Sequence, residues 1–226
     1  MFQNRKGGSM ERKKSLILIL ILIIGAGIGI GYYYWYQSAH YVKTEDARFA
    51  GDLYKATPQI TGKISNVFVE EGEVVQENQT LAELDTANLD ASSINKAVVK
   101  APVSGTVVKV YSKADELASP AQPIALVMDL NDLYVSANIE ETDIGKIKVG
   151  QEVTVSIDAL DGQKLKGKVS KIGKATNSTF SLLPATNTSG NFNKVTQRIP
   201  IEITVFKPKD LELIPGSNVV VKIKIK

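Results

Sequence analysis

Between Ile60 and Val127 the chain writes one apolar pattern twice, and no other feature limits its possible folds as much. Gly62 is followed by Ile64, Val67, Val74, Leu81 and Leu84; Gly105 is followed by Val107, Val110, Leu117, Ile124 and Val127. Every member of the second set stands 43 residues after its counterpart, and Ile60 and Val103 keep that offset. A repeat of this length cannot bury its apolar face alone, so the two copies are expected to close on each other. Two short β-rich halves packed face to face make a flattened sandwich. Gly62, Gly72 and Gly105 read as structural glycines. The first and last open the two copies, where a tight bend or a close backbone approach is expected.

Upstream of the repeat lies a different kind of segment. Leu16 to Tyr36 carries no charge, is apolar apart from glycine as far as Ile30, and ends in Tyr32, Tyr33, Tyr34, Trp35 and Tyr36. About 20 helical residues cross a hydrocarbon core, so this stretch is long enough to span one. Arg5, Lys6, Arg12, Lys13 and Lys14 stand before it against Glu11 alone. That bias predicts a single-pass anchor in the cytoplasmic membrane, with the N-terminus inside and the body outside the cytoplasm. A cleaved signal peptide competes with this reading, although Gln37-Ser38-Ala39 lacks the small residue wanted at its first position. Gly25, Gly27, Gly29 and Gly31 form two small-xxx-small pairs, a pattern that lets membrane helices pack closely.

Charge and composition exclude several chemistries. The net charge of +3 comes from the basic tail, which leaves nothing built to neutralise phosphates, and nucleic acid is not an expected partner. Cysteine is absent and His40 is the only histidine. Without a metal-ligand cluster or a nucleophile–base pair, neither an enzyme nor a bound metal or cofactor is expected. The half-repeats also suit a biotin- or lipoate-carrying domain. Such a carrier displays a lysine at the hairpin between halves, whereas this chain reads Glu83-Leu-Asp-Thr-Ala-Asn-Leu-Asp90 there, with Lys96 the nearest lysine.

From Asp132 onward apolar and polar residues alternate: Leu133, Val135, Ala137 and Ile139, then Val153, Val155 and Ile157, each set marking the buried face of a strand. A polar loop follows from Ala175 to Gln197, and Val219 to Lys226 reads as the closing strand. Lys222, Lys224 and Lys226 alternate along that strand, the pattern of a sheet edge guarded by charge.

Several motifs carry a resemblance. Pro58-Gln-Ile-Thr-Gly-Lys-Ile-Ser-Asn-Val-Phe-Val-Glu-Glu-Gly and Lys100-Ala-Pro-Val-Ser-Gly-Thr-Val resemble the split lipoyl-like domain of the membrane fusion (periplasmic adaptor) proteins of haemolysin and multidrug secretion. Tyr41-Val-Lys-Thr-Glu-Asp-Ala47 resembles the family's entry strand. Asn187-Thr-Ser-Gly-Asn-Phe-Asn-Lys-Val-Thr-Gln-Arg-Ile-Pro200 resembles a signature of its EmrA-type members. The resemblance implies a mainly β protein: cytoplasmic tail 1–15, transmembrane anchor 16–36, entry strand 37–57, lipoyl-like β-sandwich 58–129 and β-barrel domain 130–226. It also implies an adaptor subunit of an export complex, partnered by an EmrB-like transporter of major facilitator type and by further copies of itself. A membrane-anchored binding or envelope-assembly module without a transporter is the alternative. Phe192, Lys194, Gln197 and Arg198 are the expected partner contacts, since aromatics and arginine dominate interface hot spots; the alternative is a core-packed Phe192 and a solvated Arg198. In most relatives a long helical hairpin interrupts the sandwich and reaches an outer-membrane channel. Here connector 86–99 is polar and short, predicting a turn or one short helix and no direct channel contact.

Overall fold

The structure, a computed structural model, describes residues 8–87, 90–160, 162–180, 196–208 and 211–225. Helix α1 (Gly8–His40) contains an apolar stretch, Ile19–His40, of 22 residues, none of them buried within the chain. At 1.5 Å per residue that stretch measures about 33 Å, enough to cross a hydrocarbon core. The helix thus runs four residues past the expected anchor end at Tyr36. His40 caps it locally, its ring stacked on Tyr36 at 4.0 Å and its Nδ1 2.9 Å from the Tyr36 carbonyl oxygen.

From His40 the chain enters β1 (Tyr41–Thr44) and, after a bend at Glu45 and Asp46, β2 (Ala47–Ala50). The sandwich follows. It holds β3 (Leu53–Ala56), β4 (Gly62–Val67), β5 (Val74–Val75), β6 (Thr80–Leu84), α2 (Ala91–Ile94), β7 (Val98–Lys100), β8 (Gly105–Val110), β9 (Leu117–Ala118) and β10 (Ala125–Met128). Its two sheets have the orders β3-β10-β8-β5 and β7-β6-β4-β9. Shifting β3 and β5 forward by 43 residues, and β8 and β10 back by 43, generates the other sheet. Val74 pairs with Thr106 while Lys63 pairs with Leu117, and Ala56 pairs with Ala125 while Val99 pairs with Ala82. The irregularities repeat as well: β4 skips Ser65 in its ladder with β6, and β8 skips Val108 in its ladder with β10. Each half therefore lends its first and third strands to the other half's sheet. That exchange is how two units that cannot bury their faces singly share one core of Ile64, Leu81, Leu84, Val107, Ile124 and Val127. The strand at Leu53–Ala56, counted from sequence with the entry segment 37–57, is hydrogen-bonded to β10 inside this sandwich.

Beyond the sandwich come β11 (Tyr134–Glu140), α3 (Glu141–Ile144), β12 (Glu152–Ile157), β13 (Gln163–Ile172), β14 (Arg198–Phe206) and β15 (Val219–Lys224). They form a sheet ordered β1-β15-β12-β13-β14-β11-β2. Its two ends are successive parts of one stave. β1 pairs with β15, β2 pairs with β11, and Phe49 bonds backward to the segment leading into β15, accepting from Gly216 N at 2.8 Å and donating to Ser217 O at 3.1 Å. The bent stave 41–50 thus closes a six-membered barrel. Alternation supplies its core: Val135, Ala137 and Ile139 from β11, Val153, Val155 and Ile157 from β12, and Val219, Val221 and Ile223 from β15 are all buried. Closure corrects one sequence expectation. The strand carrying Lys222 and Lys224 is no edge, because the entry stave from the far end of the chain pairs with its second side.

Candidate functional site: the helix-proximal end of the barrel

An antiparallel barrel sends alternate connections to opposite ends, so the pairing order alone sorts this one. At one end lie the exit of α1 into β1, the β11–β12 connection through α3, the end of β13, the start of β14, and the end of β15. Ile225 N donates to the His40 carbonyl at 2.9 Å and ties the last strand to the helix exit. At the other end lie the two crossings into the sandwich, before β3 and after β10. The segment carrying the Asn187–Pro200 signature is therefore bracketed by strand ends on the helix side.

Phe192 and Lys194 lie outside the described residues. Gln197 and Arg198 are described, and both are engaged within the chain. The Arg198 guanidinium forms an ion pair with Asp46 at the bend of the closing stave. Asn138 of β11 donates from Nδ2 to Asp46 Oδ1 at 3.0 Å, and Asn177 donates from Nδ2 to Asn138 Oδ1 at 2.9 Å. Ser178 Oγ donates to Gln197 Oε1, and Glu141 N donates to the Gln197 carbonyl at 2.9 Å. The two motifs furthest apart in sequence, Thr44-Glu45-Asp46 and Gln197-Arg198, thus meet in one polar network. The Ser178–Gln197 bond closes the neck of the segment between them. Asn138 and Asn177 belong to this network without any signal in the sequence, since each is an isolated polar residue whose partner comes from another strand. An open cleft of about 740 Å³ runs beside it, lined by Glu45, Asp46, Arg48, Asn138, Asp158 and Asn177 among others. Asp46 and Arg198 side chains are 43% and 48% exposed, so their pair contributes no more than about 1 kcal/mol. Its value is in positioning.

The glycines divide by environment. A Cβ on Gly105 would sit 2.5 Å from the Met128 carbonyl oxygen, whereas one on Gly62 would meet Leu84 at an ordinary 3.5 Å. Gly72 has φ +92°, and its counterpart 43 residues on, Asp115, holds φ 73° without being glycine. Lys63 Nζ lies 2.7 Å from Asp115 and holds its carboxyl below the usual range, mainly through their hydrogen bond. Gly25, Gly27, Gly29 and Gly31 face open space, with no atom beyond the adjoining helix backbone within 4 Å of an added Cβ. Lys96 falls in a single 3-10 turn, Asn95–Ala97, and is exposed. Among the described residues no group of histidine, cysteine, aspartate or glutamate is arranged to hold a metal ion.

A membrane-length helix thus feeds a barrel, with a split sandwich inserted after the barrel's first stave. Residues 54–130 match the RND MFP barrel-sandwich hybrid domain, and residues 133–223 match the YknX-like β-barrel domain. The chain is 41% identical over 188 residues to YhbJ of Bacillus subtilis, named as an efflux system component; the match covers 83% of this chain and 81% of that one. It is 36% identical over 146 residues to the colistin resistance protein EmrA of Acinetobacter baumannii, covering 62% of this chain and 41% of the relative. The membrane fusion protein Spr0693 of Streptococcus pneumoniae has the same fold, with a TM-score of 0.60 at 15% identity, covering 82% of this chain and 99% of that one. The chain belongs to the membrane fusion protein family. It spans most of YhbJ but less than half of EmrA.

Proposed function

We propose that this chain is the membrane-anchored adaptor subunit of an export complex, joining a transporter in the cytoplasmic membrane to the path outside it. One observation carries the reading. The helix exit and the strand ends bracketing residues 181–195 share one end of the barrel, and the sandwich is reached only from the other. A transporter beside α1 would then meet the signature segment, while the sandwich stands away from the membrane. The chain acts by holding partners and performs no catalysis.

The finer assignments follow the same geometry. The basic tail keeps the N-terminus inside. An EmrB-like transporter of major facilitator type is the partner, contacted through Phe192, Lys194 and the Gln197–Arg198 neck. Gly25/Gly29 and Gly27/Gly31 lie on opposite sides of α1, and either pair offers a packing surface for a second copy or a transporter helix. No outer-membrane channel is touched directly, because the connector contains only the four-residue α2 and one 3-10 turn among its described residues. Crosslinking in native membranes followed by mass spectrometry tests the reading. Crosslinks from Lys194 to a polytopic transporter are expected, and Phe192→Ala should abolish export with folding intact. A chain that crosslinks to envelope proteins and never to a transporter would overturn it.

A further inference from the structure

The closing stave and its neighbours also build a lysine-rich outer wall, whose Lys43 lines a small cleft together with Arg198. On the outer wall of the barrel, ladder registers across four adjacent strands align lysines from three of them, β1, β15 and β13. One row reads Lys43, Lys222, Thr154 and Lys166 across β1, β15, β12 and β13; the row below reads Tyr41, Lys224, Glu152 and Lys168. Lys164 continues the wall above them, opposite Ser156. Six lysines therefore face two acidic groups, Glu45 and Glu152. Lys43 pairs with Glu45 at 2.7 Å, Lys224 reaches Glu152 only at 3.7 Å, and Lys222 rests over the Tyr41 ring at 4.0 Å. Lys164, Lys166 and Lys168 are exposed and have no ion pair among the described residues.

Such a wall needs a reason. Lys43 stands directly opposite Lys222, and like charges opposite one another in a ladder are destabilising. Lysines commonly protect a sheet edge, yet β12, β13 and β15 each have partners on both sides, so no edge is exposed here to guard. Outside its first 15 residues the chain is close to neutral. The wall is thus a segregation of charge and not a by-product of a basic protein.

Position supplies the partner. The lower row begins at Tyr41, the residue after α1 ends, and the Lys43–Lys222 row lies two residues further along the strand. At about 3.3 Å per residue that is about 7 Å from the helix exit. The headgroup layer is about 5–8 Å thick, so the β1 end of both rows lies within reach of it. At the same end Val149 is 63% exposed beside Lys148, an apolar residue on the turn before β12. We propose that this lysine wall docks on anionic phospholipid headgroups of the leaflet into which α1 emerges, fixing the tilt and rotation of the barrel over the membrane. The lipid is recognised as a layer of phosphates by clustered ammonium groups, each adding attraction that salt screens. The inference rests on α1 lying in a membrane and is independent of which transporter is bound.

The absence of cysteine allows a direct test with the full chain. Single-cysteine variants at Ser38 (helix exit), Thr154 (centre of the wall) and Ser136 (outer face of β11) are labelled with a fluorophore. Each is reconstituted into nanodiscs of phosphatidylcholine, with or without phosphatidylglycerol, containing a headgroup-spin-labelled lipid as quencher. Quenching at Thr154 should rise when phosphatidylglycerol is included, exceed that at Ser136, and be lost in high salt or on Lys166→Glu/Lys168→Glu/Lys222→Glu. Equal quenching at Thr154 and Ser136, or indifference to phosphatidylglycerol, would overturn the proposal. So would quenching at Thr154 that appears only after a transporter is added, which would assign the wall to an acidic protein surface. Absent quenching at Ser38 would remove the membrane anchor itself and the lipid contact with it.

Discussion

Gly105 and Gly62 occupy equivalent places in the repeat, yet their surroundings demand different things. The backbone after Met128 leads into the barrel and turns its carbonyl onto Gly105; the backbone after Asp85 leads into the connector and leaves Gly62 free. Gly105→Ala should destabilise the chain by about 2 kcal/mol, because the clash is with backbone and only a strand shift relieves it. Gly62→Ala should stay within about 0.5 kcal/mol of the parent. Denaturant titration of the detergent-solubilised chain measures both, and equal losses would show that the repeat alone governs these sites. Asp115 offers a second residue-scale test. Its folded pKa is lowered by Lys63, so the stabilisation is present above the ordinary carboxylate range and lost as pH falls through the depressed value. Asp115→Gly suits the positive φ and removes that group, and should therefore lose less stability than the parent on acidification. The difference will be small, since the pair is exposed.

At the scale of elements, the connector decides how far the sandwich can reach. It leaves β6 and returns at β7, and its described helical pieces are one turn each, too short to present repeated apolar heptads to another helix. Replacing 86–96 by a flexible linker of equal length should leave export intact. Lost export with an intact fold would reveal an essential contact there. The strand exchange between halves has its own consequence. β3, β5, β7 and β9 are the edge strands lent across the sandwich, so each half depends on the other for a complete sheet.

At the scale of the whole molecule, one chain crosses a membrane, closes a barrel and carries a sandwich on its far end. We propose that the basic tail sets the direction of that crossing. An impermeant maleimide added to intact cells should label Ser38→Cys and not Ser9→Cys; the reverse pattern would invert the complex. The sequence by itself determined the elements whose signals are local: the anchor from its uncharged run, the sandwich from its 43-residue repeat, the strand faces from alternation. It also placed the signature segment by resemblance. Only the tertiary structure decided what depends on distant partners. That the strand of Lys222 and Lys224 is interior, that Arg198 clips to Asp46, and that Gly105 is tight where Gly62 is not all follow from which strands meet. A strand's own alternation says which face is buried but carries no information about its neighbours. Those are set when the bent stave 41–50 comes back between β11 and β15 to close the barrel.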